Sequence, residues 1–388
     1  MISRPDTLNL SNWRLPPNNR WAFHHVREII PTESIPRGDS VSELDRAIVD
    51  RVSGAGVSGP GGEDWSLQDW LEVSNSDALL VAYRGRIVHE WYVDPAIETD
   101  PHIVFSVSKS ITATLAGVLV EQEKLDPTKL VTAYIPELAV SGYRDVSLQN
   151  LLDMQVDIDF EEDYLATSGK FVEYRTVTAW HPCAVDAIDQ NLHDFLCSLG
   201  RVDGDHGQVW RYKSPNSDLL GWVLERAGGD RLASLMSRYL WRPMGAEADA
   251  YITVDRKGAA RTAGGICVLP RDLLRFAELV RNLGYANGQQ VIPRRWIEDC
   301  SDGGSLEAWR RGESAKEFPA GSYRNKWYQT GNEDRAMLAI GIHSQWIYIN
   351  PVTEVSIVKL SSQDEPLRLD LDTVNLNAFT TISDVLAK

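Results

Sequence analysis

Strand-like patterning toward both ends of the chain, with helical periodicity through its middle, leaves few folds open. Ala78 to Val93 (ALLVAYRGRIVHEWYV) alternates on either side of Arg84 and Gly85 and predicts a hairpin at the edge of an antiparallel sheet. Strand character returns at Tyr251 to Val254 and in GGIC, then at Lys326 to Thr330, at Ala336 to Asn350 with a break near Ser344, and at Thr353 to Leu360. Between these blocks VSLQNLLDMQ, Leu192 to Leu199, Ser217 to Ala227 and Arg231 to Leu240 carry the helical period. Helices are also expected at Val41 to Val52, Pro270 to Asn282 and Thr373 to Ala387. The order implies an α/β part plus an all-α part: an antiparallel sheet completed by both ends of the chain, flanked by helices, with an inserted helical domain. We expect residues 1–105 and 251–388 to form a discontinuous α/β sheet domain and residues 106–250 a mainly helical one. A cleft between two such parts is a common place for a ligand. The first 38 residues or so, rich in Pro, Asn and Arg, are expected to wrap the surface as an irregular arm anchored by Trp13, Trp21 and Phe23.

Composition narrows the function classes. With 388 residues, 43% of them hydrophobic, the chain is long enough for a sizeable core. A formal net charge of −16 opposes phosphate backbones and anionic membranes, so neither nucleic acid nor a membrane is an expected partner. The start of the chain lacks the charged and apolar regions of a secretory signal, and no apolar run is long enough to span a bilayer. Cys183, Cys197, Cys267 and Cys300 are far apart and never in CxxC spacing, which fits reduced thiols in the cytoplasm and suggests neither a zinc site nor a disulfide framework. Gly54 to Gly62 is glycine-rich but lacks the lysine and hydroxyl residue of a phosphate loop. No metal or cofactor is implied.

Chemistry is concentrated in FSVSKS, Phe105 to Ser110, which opens the apolar run Ile111 to Val120. If Ser106 starts a helix, Lys109 lies about one turn on and on the same face, within reach of the hydroxyl. A lysine activates a serine only when unprotonated, which takes a shift of roughly three pKa units, about 4 kcal/mol, in a partly dry site. The same spacing also describes a capping serine followed by a surface lysine. Ser356 and Lys359 repeat the spacing in VSIVKLS, where strand geometry turns the two side chains to opposite faces.

Two further stretches bear on Ser106. Tyr212, in WRYKSPNSD ahead of the apolar run Leu219 to Leu224, is a phenol that can serve as base and then acid, or an ordinary packing tyrosine among thirteen. IGIHSQ, Ile340 to Gln345, places small residues in a strand, where the amide of Ile342 could join that of Ser106 as an oxyanion hole. His343 would suit a triad, but no serine here sits in a GxSxG elbow, and a lone strand histidine is more often structural.

An SxxK motif opening a helix, a tyrosine motif in a helical region and a small-residue strand motif near the C-terminal end together resemble the penicillin-recognising, beta-lactamase-like serine hydrolases. The tyrosine makes the chain similar to the class C lactamase and family VIII carboxylesterase branch. NNRWAFHHVREIIP, FSVSKSITATLAGVLVEQ, LLDMQVDIDFEEDY, ITVD, GSY, TGNE, IGIHSQ and IVKLSS extend the resemblance, over nearly the whole chain, to the nylon-oligomer hydrolases. That resemblance implies a beta-lactamase/penicillin-binding-protein-like fold. It also implies that Ser106 is the acylated nucleophile, that Lys109 and Tyr212 share its proton, and that the amides of Ser106 and Ile342 hold the oxyanion.

Tyr164, at the end of DFEEDY, matches a tyrosine that bonds the scissile amide in the family, and Trp180 matches a tryptophan near the substrate; either is otherwise a packing aromatic. His343 is the remaining candidate for substrate contact. Where the family's most active form uses an acidic residue to attract the substrate's amino end, the matching position here is Arg175, and another pocket position is Ala263. No histidine follows His343, although the family has one near its C-terminus. Arginine repels an ammonium group, so the machinery can be shared without the same substrate. A beta-lactamase or D-amino-acid peptidase is a weaker expectation, because Gly341 to His343 stand where a lysine would meet a beta-lactam carboxylate, and a binding module without turnover is weaker still, since it would not need a matched nucleophile and base. The expected partner is a small amide or ester, with at most a second copy of the chain in a homodimer.

Overall fold

Leu79 and Val81 face one apolar cluster, and their neighbours Ala78, Leu80 and Ala82 face another. Successive strand side chains point to opposite faces, so a strand apolar at every position needs cover on both. In the computed structural model, which describes residues 2–183, 190–202 and 204–388, the helix Pro270–Arg281 covers one face. The C-terminal helix Leu369–Ala387 covers the other through Val374, Ala378, Phe379, Ile382 and Leu386.

In chain order the strands of the two larger sheets are β1 (Thr32–Ile35), β2 (Ser76–Tyr83), β3 (Arg86–Tyr92), β4 (His102–Ile103), β5 (Ala250–Thr253) and β6 (Ile266–Val268). They continue with β7 (Ser322–Arg324), β8 (Trp327–Gln329), β9 (Met337–Gly341), β10 (Gln345–Asn350) and β11 (Val355–Ser361). The seven-stranded sheet runs β7-β8-β9-β10-β11-β2-β3 and the four-stranded sheet β1-β5-β6-β4, with every pairing antiparallel. The two ends of the chain meet where β11 lies beside β2, with Val358 opposite Leu80 and Lys359 opposite Leu79. The hairpin β2-β3 forms at the sheet edge, where its alternation placed it. Between β4 and β5 the helices Val107–Glu121, Lys170–Val177, Leu192–Ser198 and Pro215–Gly228 build the helical region. Among the described residues no helix is long and apolar enough to cross a membrane.

Two expectations fail for identifiable reasons. Of Val41 to Val52 only Asp50–Ser53 is helical. The amides of Ala47 and Val49 instead donate to the carbonyls of Ile87 and Val88 at 2.8 and 2.9 Å, so the segment runs along the edge strand β3 and satisfies its unpaired groups. The N-terminal arm is not irregular throughout. TESI pairs with β5, Thr32 opposite Thr253, in a strand whose polar composition hides it. Trp13, Trp21 and Phe23 are buried as expected. Asn19 Nδ2 donates to the Ser362 carbonyl at 2.8 Å, and Arg20 pairs with the buried Asp77, tying the arm to the main sheet.

Candidate active site

The helix Val107–Glu121 is buried on nearly all sides, and its hydroxyls are satisfied within the protein. Thr112 and Thr114 donate to the carbonyls of Ser108 and Ser110, while Ser110 donates to the carbonyl of Lys326 at 2.7 Å. Gly117 must lack a side chain, since a Cβ there would lie 2.3 Å from the Trp296 ring. Ser106 stands at the helix start with right-handed helical torsions and does not cap it. The preceding Phe105 has φ +41°, in the left-handed region that costs a bulky residue about 1–3 kcal/mol. Its ring is clamped by Phe23, Trp13 and Trp180, with centroids at 4.9, 6.4 and 6.0 Å. Aromatics of the N-terminal arm thus hold the strained turn that presents the Ser106 hydroxyl.

Lys109 is 2% exposed. Its Nζ lies 2.8 Å from Ser106 Oγ and 2.6 Å from the Ala263 carbonyl oxygen, which accepts from it. That carbonyl is itself fixed, because the Ala263 amide donates to Asp218 Oδ1 at 2.7 Å and Thr262 Oγ1 donates to the Ser217 carbonyl at 2.6 Å. Burial brings the Lys109 ammonium down to a pKa of about 7, helped by Arg261 and opposed by Glu162 and Asp218. A capping serine with a surface lysine is a different geometry from this one.

Tyr212 precedes the helix Pro215–Gly228, which starts with proline and ends on left-handed Gly229. Its phenol lies close to Ser106 and Tyr164, whose hydrogen-bonding pull favours the ionised form, and Lys109 Nζ sits 4.9 Å from its ring centroid. Burial, reinforced by Glu162, raises the Tyr212 pKa against the contrary pull of those two residues and of Arg261. At neutral pH the phenol therefore keeps its proton, and Lys109 is the group able to accept one. Glu162 is a residue that sequence reasoning missed, although the acidic run IDFEEDY advertised it. Its Oε2 accepts from the Ser214 amide at 2.8 Å and its Oε1 from Ser214 Oγ at 2.6 Å, which fixes a negative charge near the Ser106, Lys109 and Tyr212 cluster.

Ser106, Tyr164, Tyr212, Lys213, Ile342 and Trp346 are among the walls of a cavity of about 1080 Å³. Gly341, closing β9, passes so near the serine that a Cβ would lie 2.7 Å from the Val104 carbonyl oxygen and 3.1 Å from the Ser106 nitrogen. Glycine is what lets the strand bring Ile342 alongside the nucleophile. Among the described residues neither the Ser106 amide nor that of Ile342 has an acceptor within the chain, and two such donors beside a serine suit an oxyanion.

The candidate substrate contacts divide. Tyr164 lines the main cavity and also a smaller recess on the other side of Ser106, where Arg175, Trp180 and Ala263 lie as well. Trp180 is packed there, its indole N–H donating to Thr253 Oγ1 at 3.1 Å and its carbonyl accepting from Trp13 at 3.2 Å. His343 lines neither space and is 3% exposed. It sits in the β9-β10 turn with φ +59°, followed by Ser344 at +68°. The turn directs its ring into the aromatic core, 5.1 Å from Phe23, with Nδ1 at 2.7 Å from the Gln363 carbonyl. The geometry withdraws His343 from the substrate wall. Lys359, the second serine-lysine spacing, bonds Ser344 and Ser361 rather than Ser356.

Known proteins align with this chain. A family model described as beta-lactamase matches residues 73–379. A 6-aminohexanoate-dimer hydrolase of Paenarthrobacter ureafaciens is 36% identical over 357 residues, 92% of this chain and 88% of the relative. A solved Bacillus anthracis structure, proposed to be a 6-aminohexanoate-dimer hydrolase, superposes with a TM-score of 0.89 at 24% identity, covering 99% of this chain and 98% of that one. A family VIII carboxylesterase structure superposes with a TM-score of 0.57 at 14% identity over 78% of this chain and 92% of its own. The last two are likenesses of fold.

Proposed function

The chain belongs to the beta-lactamase family of serine hydrolases, and we propose that it cleaves small linear amides or esters through an acyl group carried on Ser106. The observation that carries this reading is the 2.8 Å contact between Lys109 Nζ and Ser106 Oγ, in a site whose burial brings that lysine to about 7. In the proposed reaction, neutral Lys109 takes the hydroxyl proton as Ser106 Oγ bonds to the substrate carbonyl carbon. The carbonyl electrons move onto oxygen, facing the amides of Ser106 and Ile342. As the tetrahedral adduct collapses, Tyr212 donates its proton to the departing nitrogen or oxygen and is reprotonated by the Lys109 ammonium. Water then loses a proton to Lys109, attacks the acyl carbon and releases Ser106, which leaves with that proton. Tyr164, close to Tyr212 and lining both spaces, is the residue best placed to meet the scissile group.

The substrate class follows the relative's name, a hydrolase of a linear amide dimer. A cytoplasmic setting, where the four cysteine thiols stay reduced, completes the reading, with a second copy of the chain as the one macromolecular partner it admits. The test is a panel of the linear 6-aminohexanoate dimer, short p-nitrophenyl esters and a chromogenic cephalosporin, run on wild type and Ser106→Ala. We expect turnover of an ester or the dimer, reduced at least ~10³-fold in the variant. A cephalosporin as the fastest substrate would reassign the enzyme to lactam hydrolysis, and no turnover of any compound would leave a binding module.

A further inference from the structure

The smaller recess beside Ser106 is lined by three arginines, Arg14, Arg175 and Arg261, together with Trp180, Ser106 and Ile342 among others. Arg261 is paired with the buried Asp218 and stacked 4.1 Å from the Tyr174 ring centroid. The other two are not. Among the described residues neither Arg14 nor Arg175 has a carboxylate within salt-bridge distance, and both rest on aromatic faces, Arg14 at 5.8 Å from Trp13 and Arg175 at 5.3 Å from Phe171. Arg175 is only 9% exposed, donates through Nη2 to the Ala166 carbonyl at 2.5 Å, and leaves its buried Nε without any partner. A buried guanidinium donor with no acceptor is costly, and an arriving anion removes that cost.

We propose that this recess is a carboxylate subsite, and that the preferred substrates are amides or esters carrying a carboxylate within a few bonds of the scissile carbonyl. The proposal rests on the acyl-enzyme reading of Ser106 and names the class of substrate that the same site prefers. Arginine forks suit the planar carboxylate. Burial and the two like charges of Arg175 and Arg261 bring Arg14 down to about 9, which is the field an anion relieves. The acidic groups nearby are Glu162, whose two oxygens already accept from Ser214, and Asp163, which acts on Arg175 at longer range. The recess is small, about 20 Å³, and floored by the anchored Trp180, so it takes no more than one water-sized oxygen of an arriving anion. Ser106 and Ile342 line both spaces, and the remainder of the substrate extends into the larger cavity.

The test compares two esters of equal length, the mono-p-nitrophenyl ester of glutaric acid and the same ester of glutaric monoamide. Wild type is expected to favour the carboxylate in kcat/KM by about tenfold or more, and Arg175→Gln to bring that ratio to about one, chiefly through KM. Arg14→Gln supplies the same readout if Arg175→Gln does not fold. A ratio near one in wild type, or one unmoved by both variants, overturns the subsite. A second arm needs no turnover: glutarate should bind Ser106→Ala in calorimetry and fail to bind the Ser106→Ala, Arg175→Gln double variant. Acetate or inorganic phosphate binding as tightly as glutarate would make this a general anion site and overturn the substrate claim. If wild type cleaves neither ester while glutarate binding still depends on Arg175, the Ser106 reading falls and the subsite stands. Esters cleaved without preference, and no glutarate binding, give the reverse.

Discussion

Lys109 sets the pH behaviour of the site. Its pKa is lowered from 10.5 to about 7 in the folded protein, and in the proposed reaction the unprotonated form accepts the serine proton. kcat/KM should therefore be flat above pH 7 and fall about tenfold per unit below it, a profile read directly with a neutral ester. The sign for stability follows from the same shift. Between about pH 7 and 10.5 the unfolded chain holds the lysine proton and the folded chain does not, so this group's contribution to stability rises with pH across that window. Below pH 7 the cost of burying the charge is present in full. Lys109→Met should thus abolish turnover yet raise the unfolding temperature more at pH 6 than at pH 10, as a thermal melt at each pH will show. Tyr212→Phe keeps the ring beneath Lys109 and removes the proton, so kcat should drop about 10²-fold or more with KM little changed. The proposed trio of Ser106, Lys109 and Tyr212 was legible in the letters through its motifs. Its ordering was not, because which of lysine and phenol gives up its proton depends on burial and on Glu162, a residue that joins the others only through the fold.

At the scale of elements, the site depends on how closely β9 passes the start of the serine helix. Gly341→Ala puts a Cβ against the Val104 carbonyl and the Ser106 nitrogen and should push Ile342 away from the nucleophile. We expect kcat to fall about tenfold or more while circular dichroism stays native, since one displaced oxyanion donor costs ~3 kcal/mol. Elements with strong periodicity and cover on both faces could be read from sequence: the β2-β3 hairpin, β10 and β11, and the helices Pro215–Gly228 and Pro270–Arg281 lie within a few residues of expectation. Elements defined by a partner could not. Val41 to Val49 has a helical pattern but meets the open edge of β3, and Thr32–Ile35 reads as loop but meets β5. His343 was misplaced for a related reason, because the break near Ser344 was visible while the left-handed torsions that turn the ring inward were not.

For the whole molecule, the N-terminal arm is the least readable part and one of the most consequential. It supplies Trp13 and Phe23 to the clamp on Phe105, Arg14 to the recess, and Asn19 and Arg20 to the main sheet. Trp13→Ala should cost about 3–5 kcal/mol in chemical denaturation and slow acylation, because the strained turn at Phe105 loses one of its walls. Sheet, helical region and arm converge on a single hydroxyl whose reactivity is the central claim. The most direct measurement is the rate at which a fluorophosphonate adds to the intact protein, followed by mass across pH, in wild type, Ser106→Ala and Lys109→Met. We expect one adduct per chain on the peptide containing Ser106, a rate that rises with pH to a plateau above about 7, and no addition in either variant. An adduct elsewhere, or one formed as fast without Lys109, would contradict that claim.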